Sequence, residues 1–139
     1  MSLSSYKHGV YQNLYHLVFV TKYRYQMMRK PKYREAVKDA LIDAALRHGI
    51  KFLELVVMND HVHVIAECHP SMSQAKAINL LKGASAKRLF EDYPNLSLRY
   101  PRHHFWTAGK AGRSVGDADK ETVVDYVRRQ AEQTILQQF

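Results

Sequence analysis

The sequence predicts a single α+β domain, residues 1–139, of the ferredoxin-like (split βαβ, RRM-like) class. Two observations support this prediction. β-Forming and amphipathic segments follow one another in the order β-α-β-β-α-β, which is the split βαβ order. Only Asn59 and Asp60 separate the two middle β-segments, which indicates a tight hairpin turn. The 139 residues contain no repeat and no Pro/Gly-rich linker, so we expect one core beneath an antiparallel sheet with two helices on one face.

The first elements are a strand, a helix and a hairpin. The stretch "NLYHLVFVTKYR" (13–24) is rich in Val, Phe, Leu and Tyr and predicts a long first strand. Residues 31–49 begin at a proline and end at a glycine, and their apolar side chains recur with a helical period. Residues 50–58 and 61–67 predict the two strands of the hairpin.

The second half of the chain predicts two helices around a weak strand. Residues 71–92 predict the second helix, with Ser73 as its N-cap. Residues 103–115 form a poor strand candidate because they contain two glycines. Residues 119–139 predict an additional C-terminal helix. The sheet face opposite the first two helices stays open unless this last helix or a second subunit covers it.

The charge balance indicates a polyanionic partner. Lysine and arginine number 21 against 13 acidic residues, which gives a net charge of +8. No stretch approaches the roughly 20 apolar residues of a membrane span, and the N-terminus has no apolar core of a signal peptide. A single cysteine, Cys68, excludes an intramolecular disulfide and a cysteine-rich zinc site. These features predict a cytoplasmic protein with no membrane partner.

His61 and His63 form a candidate metal site within the third strand. Side chains alternate along a strand, so both imidazoles point to one face, roughly 7 Å apart along the strand. Two imidazoles at that spacing can converge on one metal ion. The spacing alone favours the alternative, a pair of edge or surface histidines.

The final helix offers two further candidates, Tyr126 and Gln130. They are four residues apart and share one helical face. Gln130 offers an amide oxygen to a metal, and Tyr126 offers a phenol oxygen beside it. The competing interpretation packs Tyr126 with neighbouring valines and leaves Gln130 in solvent, and the spacing alone favours it.

Several motifs together resemble one family, the single-tyrosine HUH transposases of the smallest bacterial insertion sequences (IS-two-hundred type). This family belongs to the REP-associated tyrosine transposase-like superfamily. HUH denotes His, hydrophobic, His, which here is His61, Val62 and His63. The order and spacing agree from about residue 11 to residue 130. The segments that carry the resemblance are "YHLVFVTKYR" (15–24), "VMNDHVHVI" (57–65), "LKGASAKRLF" (81–90), "FW" (105–106), "SVG" (114–116) and "YVRRQ" (126–130).

The resemblance implies an enzyme that cleaves and rejoins single-stranded DNA. Tyr126, on the catalytic helix, would attack a phosphodiester, form a covalent 5′-phosphotyrosine and release a 3′-hydroxyl. His61, His63 and Gln130 would hold a divalent metal ion, Mg²⁺ or Mn²⁺. The family also implies DNA hairpins as substrates, and a homodimer whose active sites can be completed in trans. After Trp106, this chain lacks the further aromatic residues that the family usually carries, so the length of the last strand is open.

The remaining candidates concern DNA contacts and packing. Basic residues in two groups are predicted phosphate contacts, with solvated helix faces as the alternative. Tyr23 and Tyr25 are candidates to stack on unpaired bases, whereas burial is the expected role of Phe105 and Trp106. The sequence favours a core or edge role for His16 and a turn role for Asp60. It also favours surface positions for His103 and His104 and burial of Cys68. The two basic groups are Lys22, Arg24, Arg29, Lys30, Lys32 and Arg34, and Lys82, Lys87 and Arg88.

Three other functions compete with the transposase interpretation. A host-adopted HUH nuclease would perform the same chemistry on chromosomal repeats. A non-catalytic ferredoxin-like nucleic-acid-binding protein would need no metal and form no covalent adduct. A metal-dependent hydrolase acting through water would still cleave DNA after the Tyr126→Phe substitution.

Overall fold

The predicted antiparallel sheet is present, with four strands in the order β2-β3-β1-β4. The computed structural model describes residues 13–109, 111–115, 124, 125, 128, 129 and 132. This strand order and the two helices on one face confirm the ferredoxin-like prediction. The elements are β1 (Asn13–Val20), α1 (Pro31–Arg47), β2 (Lys51–Val57), β3 (His61–Cys68), α2 (Gln74–Asp92) and β4 (Ala111–Val115).

The main core lies between one face of the sheet and helices α1 and α2. Strand residues on this face alternate in the sequence, so Leu17 and Phe19 on β1 meet Val62 and Val64 on β3, all with no exposed surface. The helices contribute their buried apolar faces, among them Leu41 of α1. Burial of these side chains fixes the register of β1 against β3, because a shift by one residue would turn them toward the opposite face.

A second, smaller cluster lies on the opposite face of the sheet. Val124 is partly buried and packs against this cluster, and it is one of five described residues of the predicted last helix that are helical. The described part of the final helix therefore contacts the face that α1 and α2 leave open. The rest of the predicted helix 119–139 lies outside the described residues. The cluster comprises Leu14, Val56, Met58, Ile65 and Val115.

Two predicted strands are shorter in the structure. The first strand ends at Val20, and residues Lys22–Arg24 form a 3₁₀ turn instead of continuing to residue 24. The last strand covers Ala111–Val115 rather than 103–115. Gly112 fits its place on β4 because an added Cβ would stand 2.8 Å from the side chain of Leu17.

The predicted N-cap of α2 is confirmed. The Ser73 side chain accepts a hydrogen bond from the backbone N–H of Lys76 at 3.1 Å. Within the described part of the chain, no helix is long and apolar enough to cross a membrane.

Candidate active site

The predicted histidine pair lies at the start of β3, directly after the hairpin turn. In the sheet register, His61 is opposite Val20 and His63 is opposite Val18 of β1. Both side chains therefore lie on the face opposite α1 and α2, and their ring centroids are 5.0 Å apart. The structure thus brings the two imidazoles together on one face, as the spacing predicts.

Asp60 holds His61 from the preceding turn. Its Oδ1 atom lies 2.8 Å from His61 Nδ1, and its Oδ2 atom accepts a hydrogen bond from Arg24 at 3.2 Å. Burial raises the pKa of the Asp60 carboxyl, but the hydrogen bonds from His61 and Arg24 outweigh burial and hold that pKa below its usual value. An ionised carboxylate accepts a hydrogen bond from Nδ1–H, so Nε2 of His61 is the nitrogen left for another partner.

His16 on β1 engages the second imidazole of the pair. Its Nε2 atom lies 3.0 Å from His63 Nδ1, and the two rings stack with centroids 5.3 Å apart. Burial first, and then the neighbouring imidazoles of His61 and His16, lower the pKa of His63 to about 4. His63 is therefore neutral near pH 7, and Nε2 is again the nitrogen that its hydrogen bond leaves for another partner.

Two imidazoles with their Nδ1 atoms engaged suit a metal ion bound through Nε2. Metal-binding histidines commonly donate their other ring nitrogen to a carboxylate or a similar acceptor, which fixes the ring orientation. Within the described ranges, no group of three or more His, Cys, Asp or Glu residues converges to hold a metal. A complete ligand set therefore requires a donor of another type or from elsewhere in the chain. The predicted third ligand, Gln130, and the predicted nucleophile, Tyr126, lie outside the described residues.

Described residues of the final helix contact the same sheet face as the histidines. Val124 packs on the second cluster, which includes Val56, the cross-strand neighbour of His63. Arg128 donates a hydrogen bond from Nε to the carboxylate of Glu54 on β2. Glu54 is paired with Ile65 of β3, two residues beyond His63 and on the same face. These contacts are made within one chain.

The basic residues near the predicted DNA contacts differ in whether other groups of the described chain form hydrogen bonds or ion pairs with their side chains. Arg34 donates hydrogen bonds to the Met28 carbonyl and to Asn59. On α2, Lys82 Nζ donates to the carbonyl oxygens of Thr107 and Gly109, and Arg88 pairs with two carboxylates. In contrast, no described residue forms an ion pair with any cation of a third group. This third group comprises three of the predicted contacts, Lys22, Arg29 and Lys30, together with Arg99 and Arg102, which the sequence did not assign.

Sequence prediction was right about the buried residues near this region. Phe105 and Trp106 are 1% and 5% exposed, and Cys68 is 2% exposed. His104 is exposed, as predicted for both members of the His103–His104 pair. His103 is exposed too, but its ring also stacks on Phe90 with centroids 4.7 Å apart.

The sequence did not assign His16 and Asp60 to the site. Asp60 shapes the turn as expected, since its backbone oxygen accepts from the Thr21 N–H at 3.0 Å. Its side chain has the additional contact to His61. The position of His16 could have been predicted in two steps. Alternation places His16, Val18 and Val20 on one face of β1, and the antiparallel pairing of β1 with β3 brings that face beside His63.

Comparison with known proteins identifies the family. A family model described as "Transposase IS200 like" matches residues 9–130. This chain belongs to the IS200-like transposase family. Its relatives include the ISDra2 transposase TnpA of Deinococcus radiodurans, which is 31% identical over 121 residues, covering 87% of this chain and 86% of that protein. The transposase for insertion sequence element IS200 of Salmonella typhimurium is 33% identical over 119 residues, covering 86% of this chain and 77% of that protein.

Solved structures similar to this IS200-like transposase confirm the fold. A crystal structure assigned as a transposase from Deinococcus radiodurans R1 has a TM-score of 0.69 at 30% identity, and the match covers 87% of this chain and 92% of that one. A REP-associated tyrosine transposase bound to a REP hairpin has a TM-score of 0.59 at 13% identity, covering 83% of this chain and 64% of that one. At that identity, the second likeness concerns the fold alone.

Proposed function

We propose that this chain cleaves and rejoins single-stranded DNA at the ends of an insertion sequence, with Tyr126 as the nucleophile. The phenol oxygen of Tyr126 attacks a phosphodiester, forms a 5′-phosphotyrosine and releases a 3′-hydroxyl. Attack by a 3′-hydroxyl on the phosphotyrosine reverses the step and joins new ends, so the bond energy is conserved and no ATP is needed. Membership of a transposase family supports the DNA reaction, and the resemblance of "YVRRQ" (126–130) to the family's catalytic segment supports the nucleophile.

The observation that carries this proposal is the arrangement of the two HUH imidazoles. Asp60 and His16 engage both Nδ1 atoms, which leaves the two Nε2 atoms on one face of the sheet. We propose that His61, His63 and the amide oxygen of Gln130 hold a divalent ion. Mg²⁺ is the expected ion in the cell, and Mn²⁺ is expected to bind at least as well, because imidazole suits Mn²⁺ better than Mg²⁺. When bound, the ion polarises the scissile phosphate and stabilises negative charge in the transition state.

The chain's own residues have distinct parts in this mechanism. His63 binds through a neutral imidazole, since its low pKa keeps it unprotonated at neutral pH, and His61 binds beside it. Asp60 and His16 orient those two rings. The contacts of Val124 with the second cluster and of Arg128 with Glu54 support the proposal, because they bring described parts of the final helix to the sheet face of the histidines.

We propose single-stranded DNA with hairpin ends as the substrate. Membership of the IS200-like transposase family supports this substrate, because the family resemblance implies DNA hairpins. The cations without ion-pair partners in the described residues supply the electrostatic attraction for phosphates. Binding should therefore weaken steeply as salt rises.

We also propose a homodimer joined along sheet edges. In the described sheet, β2 is an edge strand with one neighbour, β3. Beside that edge is a groove lined by apolar side chains of α1 and β2, among them Leu46, which is 76% exposed. An open edge with adjacent apolar surface can pair with another strand. Light scattering should give the mass of two chains, and Leu46→Glu should shift the population toward one.

The dimer also allows a test for active sites completed in trans. Tyr126→Phe and His61→Ala are each expected to be inactive alone. If tyrosine and histidines act across subunits, mixing the two variants restores part of the activity. If the mixture stays inactive although the subunits exchange, each chain completes its own site.

The experiment that tests the function detects the covalent adduct. Purified protein is incubated with labelled single-stranded DNA from the element's ends, with and without Mn²⁺, beside Tyr126→Phe, on a denaturing gel. We expect a metal-dependent protein–DNA adduct that is absent in the variant. Binding without any adduct would support the non-catalytic binding protein, and cleavage that persists in Tyr126→Phe would assign attack to water. A host-adopted nuclease would form the adduct with chromosomal repeats instead.

A further inference from the structure

The turn that follows β1 holds two consecutive non-glycine residues in the left-handed region. Tyr23 has φ 62° and ψ 11°, and Arg24 has φ 54°. Residues that have a Cβ atom are sterically disfavoured in this region. They adopt it where surrounding contacts hold the backbone in place. Backbone conformations of this unfavourable kind are concentrated at functional sites.

Backbone bonds from distant parts of the chain hold this turn. The Thr21 N–H donates to the Asp60 carbonyl at 3.0 Å, and the Lys22 N–H donates to the Phe105 carbonyl at 2.8 Å. The hydroxyl of Thr21, which is fully buried, lies 2.7 Å from the carbonyl oxygen of Tyr25. The turn is thus fixed to the loop before His61 on one side and to residue 105 on the other.

The fixed turn raises the Tyr23 ring from the protein surface. Tyr23 is 62% exposed, although most large apolar and aromatic side chains of the described residues are covered. Its ring contacts Tyr25, with centroids 5.3 Å apart, and Lys22 Nζ lies 5.5 Å from the ring centre. The Tyr23 ring, which packs against Tyr25, therefore faces solvent beside the Lys22 ammonium group.

Two cationic clefts lie by this turn, one lined by Tyr25, whose ring contacts Tyr23, and the other lined by Tyr23. The first has a volume of about 310 Å³ and is lined by residues that include Tyr25, Arg29, Lys30 and Arg99. The second has a volume of about 340 Å³, and its lining includes Tyr23 itself. No described lining residue of either cleft is acidic. The second cleft is also lined by Lys22, Tyr100, Pro101, Arg102 and His104.

We propose that the Tyr23 ring is a stacking platform for an unpaired base of single-stranded DNA, and that the two cationic clefts by this turn hold phosphates of neighbouring nucleotides. This inference rests on the proposed function, which makes single-stranded DNA the substrate. Aromatic rings beside positive clefts are the features that bind single strands with little sequence preference, because every base has a stacking face. The turn that carries Tyr23 is hydrogen-bonded to Asp60, whose carboxylate contacts His61 of the candidate active site.

The decisive variant is Tyr23→Gly, because it separates binding from folding. Glycine adopts φ 62° without steric cost, so we expect a melting temperature equal to or above that of the parent protein. Loss of the ring should weaken binding by roughly tenfold or more, from the usual contribution of base–aromatic stacking. Tyr23→Phe keeps the ring and should bind within about twofold of the parent, a margin far below one lost stacked base.

The assay measures binding of a fluorescein-labelled oligothymidine to the full chain by anisotropy in EDTA, so that metal-dependent cleavage does not interfere. A second oligonucleotide carries 2-aminopurine, whose fluorescence falls when it stacks on an aromatic ring. We expect quenching with the parent and with Tyr23→Phe, and markedly less with Tyr23→Gly. Equal affinity and equal quenching for all three proteins would overturn the platform.

The clefts are tested separately through the salt dependence of binding. Arg29→Ala should reduce the slope of log affinity against log salt by about 0.7, the value for one phosphate contact on a single strand. The matched control is Lys76→Ala, an exposed cation on α2 that lines neither cleft nor the groove beside β2, and its slope should stay unchanged. Equal slopes for the two variants would overturn the phosphate assignment.

Other outcomes distinguish this inference from the proposed function. If the parent protein forms the Tyr126 adduct and Tyr23→Gly does not change DNA binding, the proposed function is supported and the stacking platform is overturned. If Tyr23→Gly weakens DNA binding but the parent protein forms no adduct, the stacking platform is supported and the covalent mechanism is overturned. If Tyr23→Gly changes the oligomeric mass, the ring belongs to an interface between copies and the platform is overturned.

Discussion

The Asp60 side chain offers the sharpest test of the candidate metal site. Asp60→Ala removes the acceptor 2.8 Å from His61 Nδ1 and the partner of Arg24, while the backbone carbonyl that binds Thr21 remains. The Arg24 side chain is 69% exposed, so loss of this ion pair should cost less than about 1 kcal/mol of stability. Folding should therefore be almost unchanged.

The expected effect on metal binding is larger. Without Asp60, nothing in the described chain selects the ring nitrogen of His61 that carries the proton. Loss of such an outer hydrogen bond typically weakens metal affinity by about 10–100-fold, which is roughly 1.4–2.8 kcal/mol. Asp60→Asn keeps an oxygen that accepts from Nδ1–H and should retain most of the affinity.

Two measurements check this reasoning. Calorimetric titration with Mn²⁺ compares the parent, Asp60→Ala and Asp60→Asn, and Asp92→Ala is the matched control because it also breaks a carboxylate–arginine pair, at 3.2 Å on α2. Long-range ¹H–¹⁵N spectra of the metal-free protein report which nitrogen of His61 is protonated. Unchanged Mn²⁺ affinity in a folded Asp60→Ala protein, together with an unchanged His61 spectrum, would refute the role of Asp60.

Three further predictions concern stability and reactivity. Ser73→Ala removes the cap bond to Lys76 and should lower the unfolding free energy by about 1 kcal/mol in urea titrations. Burial, and then the neighbouring Glu67 carboxylate, raise the pKa of Cys68 to about 11, so its thiol should react with an aromatic disulfide reagent only after unfolding. The pKa of His63 is about 4 in the folded protein and 6.5 in its ordinary state, so between these values the unfolded chain binds a proton that the folded chain does not. The unfolding free energy should therefore fall as the pH is lowered from 6.5 to 4, and it should fall less in His63→Gln.

The sequence predicted the elements of the sheet and helices because their apolar side chains recur with clear periods. Leu17, Phe19, Val62 and Val64 alternate as a half-buried strand pair requires, and the structure buries all four. The same local reasoning failed at residues 21–24. Threonine and tyrosine favour strands, but the backbone there follows hydrogen bonds to Asp60 and Phe105, which are distant in the sequence.

Only the part of the candidate site that follows from spacing along one strand could be predicted from the sequence. His61 and His63 lie on one strand, so alternation alone places them on one face. His16 comes from another strand, and its bond to His63 depends on the pairing of β1 with β3, which no local pattern specifies. Asp60 adjoins His61 in the sequence, but the direction of its side chain depends on the turn and on Arg24.

The turn after β1 and the histidine pair are parts of one hydrogen-bonded unit. Thr21 binds the backbone of Asp60, Arg24 binds its carboxylate, and that carboxylate binds His61. The left-handed backbone that exposes Tyr23 is also the backbone that turns Arg24 toward Asp60. A straight continuation of β1 would instead alternate these two side chains between the faces of the sheet. The steric cost of the turn is therefore linked to two features at once, the exposed ring and the fixed orientation of His61.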